Sequence, residues 1–321
     1  MRMRALGEPS ALELCELPDP VPGPNHIAIE VEAIGCNFAD VLICRGKYQL
    51  KPELPFAPGA EVAGRVRAVG PGVTDLAPGQ RVAAQLGYGG YASIAVADVR
   101  RVQVLPEAMP AAFAVALGVA YQTAYLALAD RARLLSGESV LVQAAAGGVG
   151  LALVQVGRAL GARVIAGAGS EDKLALCRQR GAHEAVLTRG QAFAPRVREL
   201  TSGRGADVIC ESVGGDVFEE SLRCIAWSGR LIVLGFSSGQ IPSVPCNRVM
   251  LKHISIIGLN LGGYHEHEPE ALRAASARLF ELYAEGALRP LIHSVRPMTQ
   301  AAQALGELAA RGTTGKLVLT P

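Results

Sequence analysis

Ser139-Val140-Leu141-Val142-Gln143-Ala144-Ala145-Ala146-Gly147-Gly148-Val149-Gly150-Leu151 is the stretch on which the reading of this chain turns. Val140, Leu141 and Val142 form the short unbroken apolar run of a buried parallel strand. The small residues at 144–150 turn the chain, and an apolar helix follows through Leu160. A strand, a glycine turn and a helix N-terminus make an anion cradle, because unpaired backbone N–H groups and the helix dipole both favour negative charge. The spacing Ala145-x-Gly147-x-x-Gly150 is the dinucleotide fingerprint with alanine in the first glycine slot. It makes Ala146, Gly147, Gly148 and Val149 candidate phosphate contacts.

Working outward, the pattern from Glu138 alternates strand and helix. Strands are predicted at 140–143, 163–166, 185–187, 208–210, 231–234 and 254–258, with helices near 148–160, 171–180, 193–202 and 215–226. That order predicts a doubly wound parallel Rossmann sheet with right-handed crossovers. Residues 1–110 read differently. Segments 28–34, 61–69, 80–84 and 91–96 are strand-like, separated by turns such as Pro58-Gly59, Pro71-Gly72 and Pro78-Gly79, which predicts a compact β-rich barrel. A short helix is expected at 37–45, and the alanine- and leucine-rich 111–135 carries the chain into the second domain. After Leu261 a helix at 270–285 and a strand at 316–319 remain. The tail is expected to return to the first domain, giving a discontinuous domain of 1–118 plus 262–321 around a nucleotide-binding domain of 119–261. His265-Glu266-His267, with no third ligand nearby, reads as a polar loop.

Composition narrows the class. A chain of 321 residues, 50% hydrophobic, predicts about two domains with substantial cores. Its net charge of +2 is scattered, so no nucleic-acid or membrane-surface patch is expected. No run is expected to reach the ~20 apolar residues of a membrane span, and no basic-then-apolar leader is expected. The seven cysteines (15, 36, 44, 177, 210, 224 and 246) contain no C-x-x-C pair and leave an odd one over. Reduced thiols and a cytoplasmic location are the expectation.

The second strand of the sheet decides the cofactor. An acidic residue at its end ordinarily grips the adenosine ribose of NAD. Here the chain continues Ala166-Gly167-Ala168-Gly169-Ser170-Glu171-Asp172-Lys173, so Ala168 leaves that position uncharged. A hydroxyl at Ser170 and an ammonium at Lys173 suit a 2′-phosphate, with Arg189 as a second partner, and NADPH is the expected cofactor. Loops after the fourth and fifth strands carry Val213, Gly235, Phe236 and Ser237, which are placed to meet the nicotinamide half.

Several further segments occur in a characteristic order: Gly35-Cys36-Asn37-Phe38-Ala39-Asp40, Arg45-Gly46-Lys47-Tyr48, Pro58-Gly59-Ala60-Glu61-Val62-Ala63-Gly64, the glycine cradle, and Thr314-Gly315-Lys316. With these the chain resembles the medium-chain dehydrogenase/reductase superfamily, specifically its zinc-free quinone oxidoreductase (zeta-crystallin-like) branch, nearly end to end. The resemblance implies a GroES-like first domain. It also implies that Asn37 and Ala60 stand where zinc-dependent relatives have a cysteine and a histidine ligand, that Cys36 lies one residue off, and that the structural-zinc lobe is missing. No metal is therefore expected. It further implies that Asn37 and Tyr48 sit beside the nicotinamide, that Thr123 helps hold its carboxamide, and that Lys316 approaches the cofactor's phosphates. Tyr48 is the candidate to orient an acceptor oxygen or donate a proton, the other reading being a rim residue that covers the cofactor. Cys44 and Leu42 read as apolar lining.

Without a metal to polarise a carbonyl, hydride is expected to go to a quinone or another conjugated acceptor. Reduction of an enal, enone or enoyl thioester stays open beside it, as does a non-catalytic NADPH-binding role. The absence of a basic cluster for coenzyme A favours quinones and free enals. Relatives dimerise through the region of 253–258, so a homodimer paired along that apolar edge is expected.

Overall fold

The computed structural model describes all 321 residues. They divide into two compact units, Met1–Val119 with Pro290–Pro321, and Ala120–Arg289.

The first unit is built on a seven-stranded sheet. Its strands are β1 (His26–Gly35), β2 (Glu61–Val69), β3 (Arg81–Gln85), β4 (Ile94–Asp98), β5 (Val102–Val104), β12 (Ile292–Pro297) and β13 (Lys316–Thr320). They run in the order β12-β13-β1-β2-β3-β5, with β4 also on β1. The ten-residue β1 organises the sheet. It pairs with β2 over most of its length, with β4 over His26–Glu30, and with β13 at Ile34 and Gly35. Register shifts at Ala28/Ile29 and Val31/Ala33 bend it, as bulges do where a sheet curls. Inward residues Ile27, Ile29, Ile34, Val62, Val82, Leu317 and Leu319 form the core. Helices α1 (Phe38–Cys44) and α2 (Ala111–Leu117) and the C-terminal α11 (Ala301–Ala309) complete the unit.

The second unit is a six-stranded parallel sheet of β6 (Ser139–Val142), β7 (Arg163–Ala168), β8 (Glu184–Leu187), β9 (Ala206–Glu211), β10 (Ile225–Val233) and β11 (Ser255–Gly258). Their order is β11-β10-β9-β6-β7-β8, and every pairing is parallel. Counted within the unit this is 3-2-1-4-5-6, which reverses between β6 and β9, and ligands bind at the carboxyl ends of such a reversal. The connecting helices are α4 (Gly148–Ala159), α5 (Glu171–Gln179), α6 (Ala194–Leu200), α7 (Gly215–Cys224) and α8 (Cys246–Lys252). Leu141, Ile165, Ile209, Phe218 and Leu231 fill the space between sheet and helices.

Four expectations are corrected. The expected strand at 91–96 starts later, at Ile94; Tyr91 lies before it in a bend and is fully buried. His265 and His267 are not in a loop but close a helix, α9 (Leu261–His267), whose Tyr264 hydroxyl donates to Asp130 at 2.5 Å. The segment following β11 stays with the nucleotide-binding unit as far as Arg289 instead of leaving it at 262. The reason is packing: α10 (Pro269–Ala284) sets Leu272 and Ala275 against Leu126 and Tyr264, and Ser276 accepts a hydrogen bond from Gln122 at 2.8 Å. Finally, Ala111–Arg131 is long and apolar enough to cross a membrane, yet 72% of its most apolar window is buried inside the protein, which accounts for its apolarity as core packing.

Candidate active site

The glycine cradle follows β6. Ala144 takes φ +49°, and its carbonyl accepts the Gly147 N–H at 3.0 Å, closing the turn. Ala145 N–H donates to the Gly167 carbonyl near the end of β7 at 2.9 Å. Gly147 is the N-cap of α4, and the first intrahelical acceptor is its own carbonyl, taken by Leu151 at 2.8 Å. The N–H groups of Gly148, Val149 and Gly150 thus stand at the helix start with no preceding turn to bond. Gly147, Gly148 and Val149 are half-buried, whereas the Ala146 side chain is buried and offers only its backbone. A Cβ on Gly150 would lie 2.2 Å from the Ala144 carbonyl oxygen, so this position brings helix and strand together. A Cβ on Gly147 would meet only that oxygen, at 3.4 Å, leaving the space above the helix end clear.

Ala168 is buried at the end of β7, with no carboxylate in its place. Ser170 is the exposed N-cap of α5, and Lys173 follows on the same helix behind Glu171 and Asp172. Arg189, exposed beyond β8, runs alongside Gly169: its Cβ and Cδ lie 3.7 and 3.8 Å from where a Gly169 Cβ would stand. A hydroxyl and a guanidinium therefore flank the end of β7, with the Lys173 ammonium one helical turn on.

The loops after β9 and β10 are held by a group that the sequence did not single out. Glu211, fully buried at the end of β9, accepts N–H groups from Val213 at 2.7 Å and Gly214 at 3.0 Å, and the Ser221 hydroxyl at 3.1 Å. Ser221 in turn accepts from the Gln143 side chain at 3.0 Å. Burial pushes the Glu211 carboxyl above its usual range, against those hydrogen bonds. The loop after β10 is tied to this one by Ser237 N–H to Ser212 at 3.0 Å and Ser238 N–H to Val213 at 2.9 Å. Val213, Gly235, Phe236 and Ser237 are all half-buried on these loops. Thr123 is buried in α3 (Val119–Tyr125).

In the first unit the resemblance-derived residues meet in a buried polar cluster. Asn37 caps α1. Its Nδ2 donates to the Gly35 carbonyl at 3.2 Å and to Glu61 at 2.9 Å, while its Oδ1 accepts from the Lys316 ammonium at 2.8 Å. Lys316 also pairs with Glu61, and both side chains are almost wholly buried. This revises the expectation that Lys316 meets the cofactor's phosphates, since its ammonium is enclosed between Glu61 and Asn37. Asp40 lies beside them, accepting from Asn37 N–H at 2.7 Å, Gly59 N–H at 3.2 Å and the Tyr91 hydroxyl at 3.2 Å. Burial raises the Asp40 carboxyl to about 6 and the neighbouring Cys36 thiol to about 12, so Cys36 stays a protonated thiol at neutral pH. Tyr48 is half-buried against the core of the unit, and burial raises its phenol. Ala60 carries no ligand atom, and the chain has no group of three or more His, Cys, Asp or Glu side chains arranged to hold a metal ion.

A 3-2-1-4-5-6 sheet with a glycine cradle, joined to a β-rich unit of this topology, defines a nucleotide-dependent dehydrogenase/reductase of the medium-chain kind. The family comparisons agree: residues 23–107 match the alcohol dehydrogenase GroES-like domain, and 148–277 match the zinc-binding dehydrogenase domain. A quinone oxidoreductase-like protein 2 homolog of Nematostella vectensis is 40% identical over 300 residues, covering 92% of this chain and 82% of that one. A mycobacterial protein solved with NADPH superposes with a TM-score of 0.94 at 33% identity, covering 100% and 99% of the two chains. Escherichia coli quinone oxidoreductase complexed with NADPH gives a TM-score of 0.93 at 32% identity, with the same coverage of 100% and 99%. The chain belongs to the quinone oxidoreductase-like family of the medium-chain dehydrogenase/reductase superfamily.

Proposed function

We propose that this protein is an NADPH-dependent oxidoreductase that delivers hydride to a quinone without the help of zinc. The observation that carries the reading is the cradle at the sheet reversal, where Gly147 leaves the α4 N-terminus open, combined with an uncharged Ala168 flanked by Ser170, Lys173 and Arg189. The NADPH complexes of two relatives support it.

The cradle fits a pyrophosphate, because the backbone N–H groups of 148–150 and the helix dipole favour an anion where a side chain would block it. Ser170, Lys173 and Arg189 would hold the 2′-phosphate, and the loops bearing Val213, Gly235, Phe236 and Ser237 would hold the nicotinamide half. The bound cofactor supplies the hydride. Asn37 and Tyr48 would border the nicotinamide, and Thr123 would help hold its carboxamide. A quinone tolerates the incoming charge by delocalisation, which removes the need for a metal at Asn37 and Ala60. Tyr48 is read as the group that would donate a hydrogen bond to the acceptor oxygen. Its raised phenol keeps that proton available at neutral pH.

Two further parts of the reading concern assembly and location. β11 ends the second sheet with one edge unpaired. Near it stand exposed Trp227 (65%), stacked on His253 with ring centroids 4.4 Å apart, Met250 (67%) and Leu251 (64%). This edge supports a homodimer. All seven cysteines are free thiols, which suits a reducing cytoplasm. The test of function is NADPH consumption on adding a quinone: saturable turnover is expected, and binding without turnover on any conjugated acceptor would point to a non-catalytic role.

A further inference from the structure

We infer that Glu61 and Lys316 are positioning residues that lock the carboxamide of Asn37 in a single orientation. The inference rests on the reading that Asn37 borders the nicotinamide.

The chemistry of the three partners decides the orientation. An ammonium can only donate, and a carboxylate or a carbonyl can only accept. Asn37 faces the Lys316 ammonium with Oδ1 and presents Nδ2 to Glu61 and the Gly35 carbonyl. Turning the amide over would set NH₂ against an ammonium and an oxygen against a carboxylate and a carbonyl. All three contacts would become repulsive.

Glu61 is itself immobile. Its second oxygen accepts the Val119 N–H at 2.7 Å, and its carboxylate lies against Gly35 and Gly118, where an added Cβ would stand 2.5 and 2.2 Å from its oxygens. Lys316 is anchored where β13 begins, its N–H bonded to Leu291 at 2.8 Å. Both side chains are at most 5% exposed, so water does not compete for these contacts. The pair and the Gly35 carbonyl therefore hold Asn37 from three sides. The pairing also explains why an apparently phosphate-binding lysine is enclosed: its charge polarises and orients an amide.

The test compares Lys316→Met, the charge-balanced double variant Glu61→Gln/Lys316→Met, and Asn37→Ala. For Lys316→Met we expect kcat with a quinone to fall about 10- to 100-fold, the usual cost of a misplaced orienting group, while the NADPH Kd by fluorescence titration changes less than about 3-fold. The double variant should regain thermal stability lost to the unpaired Glu61 but keep the low kcat. In the protein without cofactor, selective ¹⁵N labelling should show one sharp Asn37 side-chain NH₂ pair, identified by its loss in Asn37→Ala, that broadens or splits in both lysine variants. Recovery of kcat together with stability in the double variant would reduce the pair to a structural role and overturn the proposal. A Lys316→Met defect confined to NADPH affinity would overturn it too, restoring the phosphate contact. Wild-type kcat in Asn37→Ala would instead refute the placement of Asn37 beside the nicotinamide, on which the inference stands.

Discussion

Replacing Gly147 by alanine separates binding from folding at the cradle. Gly147 has φ −74° and ψ 177°, a conformation open to any residue. The added methyl meets only the Ala144 carbonyl oxygen, at 3.4 Å, an ordinary contact. Reducing the freedom of the unfolded chain contributes about 0.4–1 kcal/mol to stability, and the poorer N-cap offsets about as much. Stability should therefore stay within about 1 kcal/mol of the parent. Binding should not, because the methyl stands over the helix end where a pyrophosphate approaches. Forfeiting one hydrogen bond to a charged group costs about 1.5–3 kcal/mol, or roughly 10- to 150-fold in Kd. Fluorescence titration with NADPH, paired with thermal melts, reads both quantities. Gly150→Ala is the contrast: its methyl would lie 2.2 Å from Ala144 O and 2.7 Å from the Ala145 backbone, so α4 must shift off β6. Overpacking of that kind costs about 1–3 kcal/mol or more, and melting and binding should fall together. An unchanged NADPH Kd in Gly147→Ala would refute a backbone approach at this turn.

Other outcomes are expected from the same geometry. Lys173→Ala and Arg189→Ala should each weaken NADPH by about 1–3 kcal/mol and leave NADH nearly unchanged; equal losses for both cofactors in titrations would argue against a 2′-phosphate site. Burial raises Asp40 from 3.8 to about 6. The folded state then binds more protons between these values, and the stability due to Asp40 declines as pH rises through that window, levelling above it at a cost of about 3 kcal/mol. Urea melts of the parent and Asp40→Asn should accordingly diverge as pH changes from 7 to 4, the parent gaining; parallel profiles would contradict this. Chelators should leave quinone reduction untouched, and inhibition that added zinc reverses would refute the reading of Asn37 and Ala60. Light scattering should report a dimer that Trp227→Glu weakens; a monomeric parent would remove the assembly from the account.

Much of the nucleotide-binding unit was legible because its signals are local. An apolar triplet, a small-residue turn and an apolar helix lie within one stretch, and Ala168 can be read from its distance beyond the second strand. The buried clusters were not legible. Lys316 and Glu61 lie 255 residues apart, and nothing near either announces the pair. Beside Thr314-Gly315, Lys316 resembles a surface phosphate ligand until β13 places it next to β1. Glu211 ends an ordinary apolar strand, and its role follows only from Val213, Gly214 and Ser221 folding back on it. β12 is not legible either, because Ile292–Pro297 is polar, half exposed and ends in proline, a pattern that fits an edge strand as well as a loop. The boundary at Arg289 is not marked in the sequence, because only the packing of α10 on Leu126 and Tyr264 assigns that helix.

The cradle and its flanking cations are proposed to serve hydride transfer from NADPH to a quinone. Steady-state NADPH oxidation by the purified protein, measured against quinones, enals and enoyl thioesters with NADH in parallel, tests this most directly. Saturable, chelator-insensitive turnover that is fastest with quinones and favours NADPH over NADH is expected. NADPH binding without turnover on any of these acceptors, or turnover that prefers NADH, would contradict the proposal.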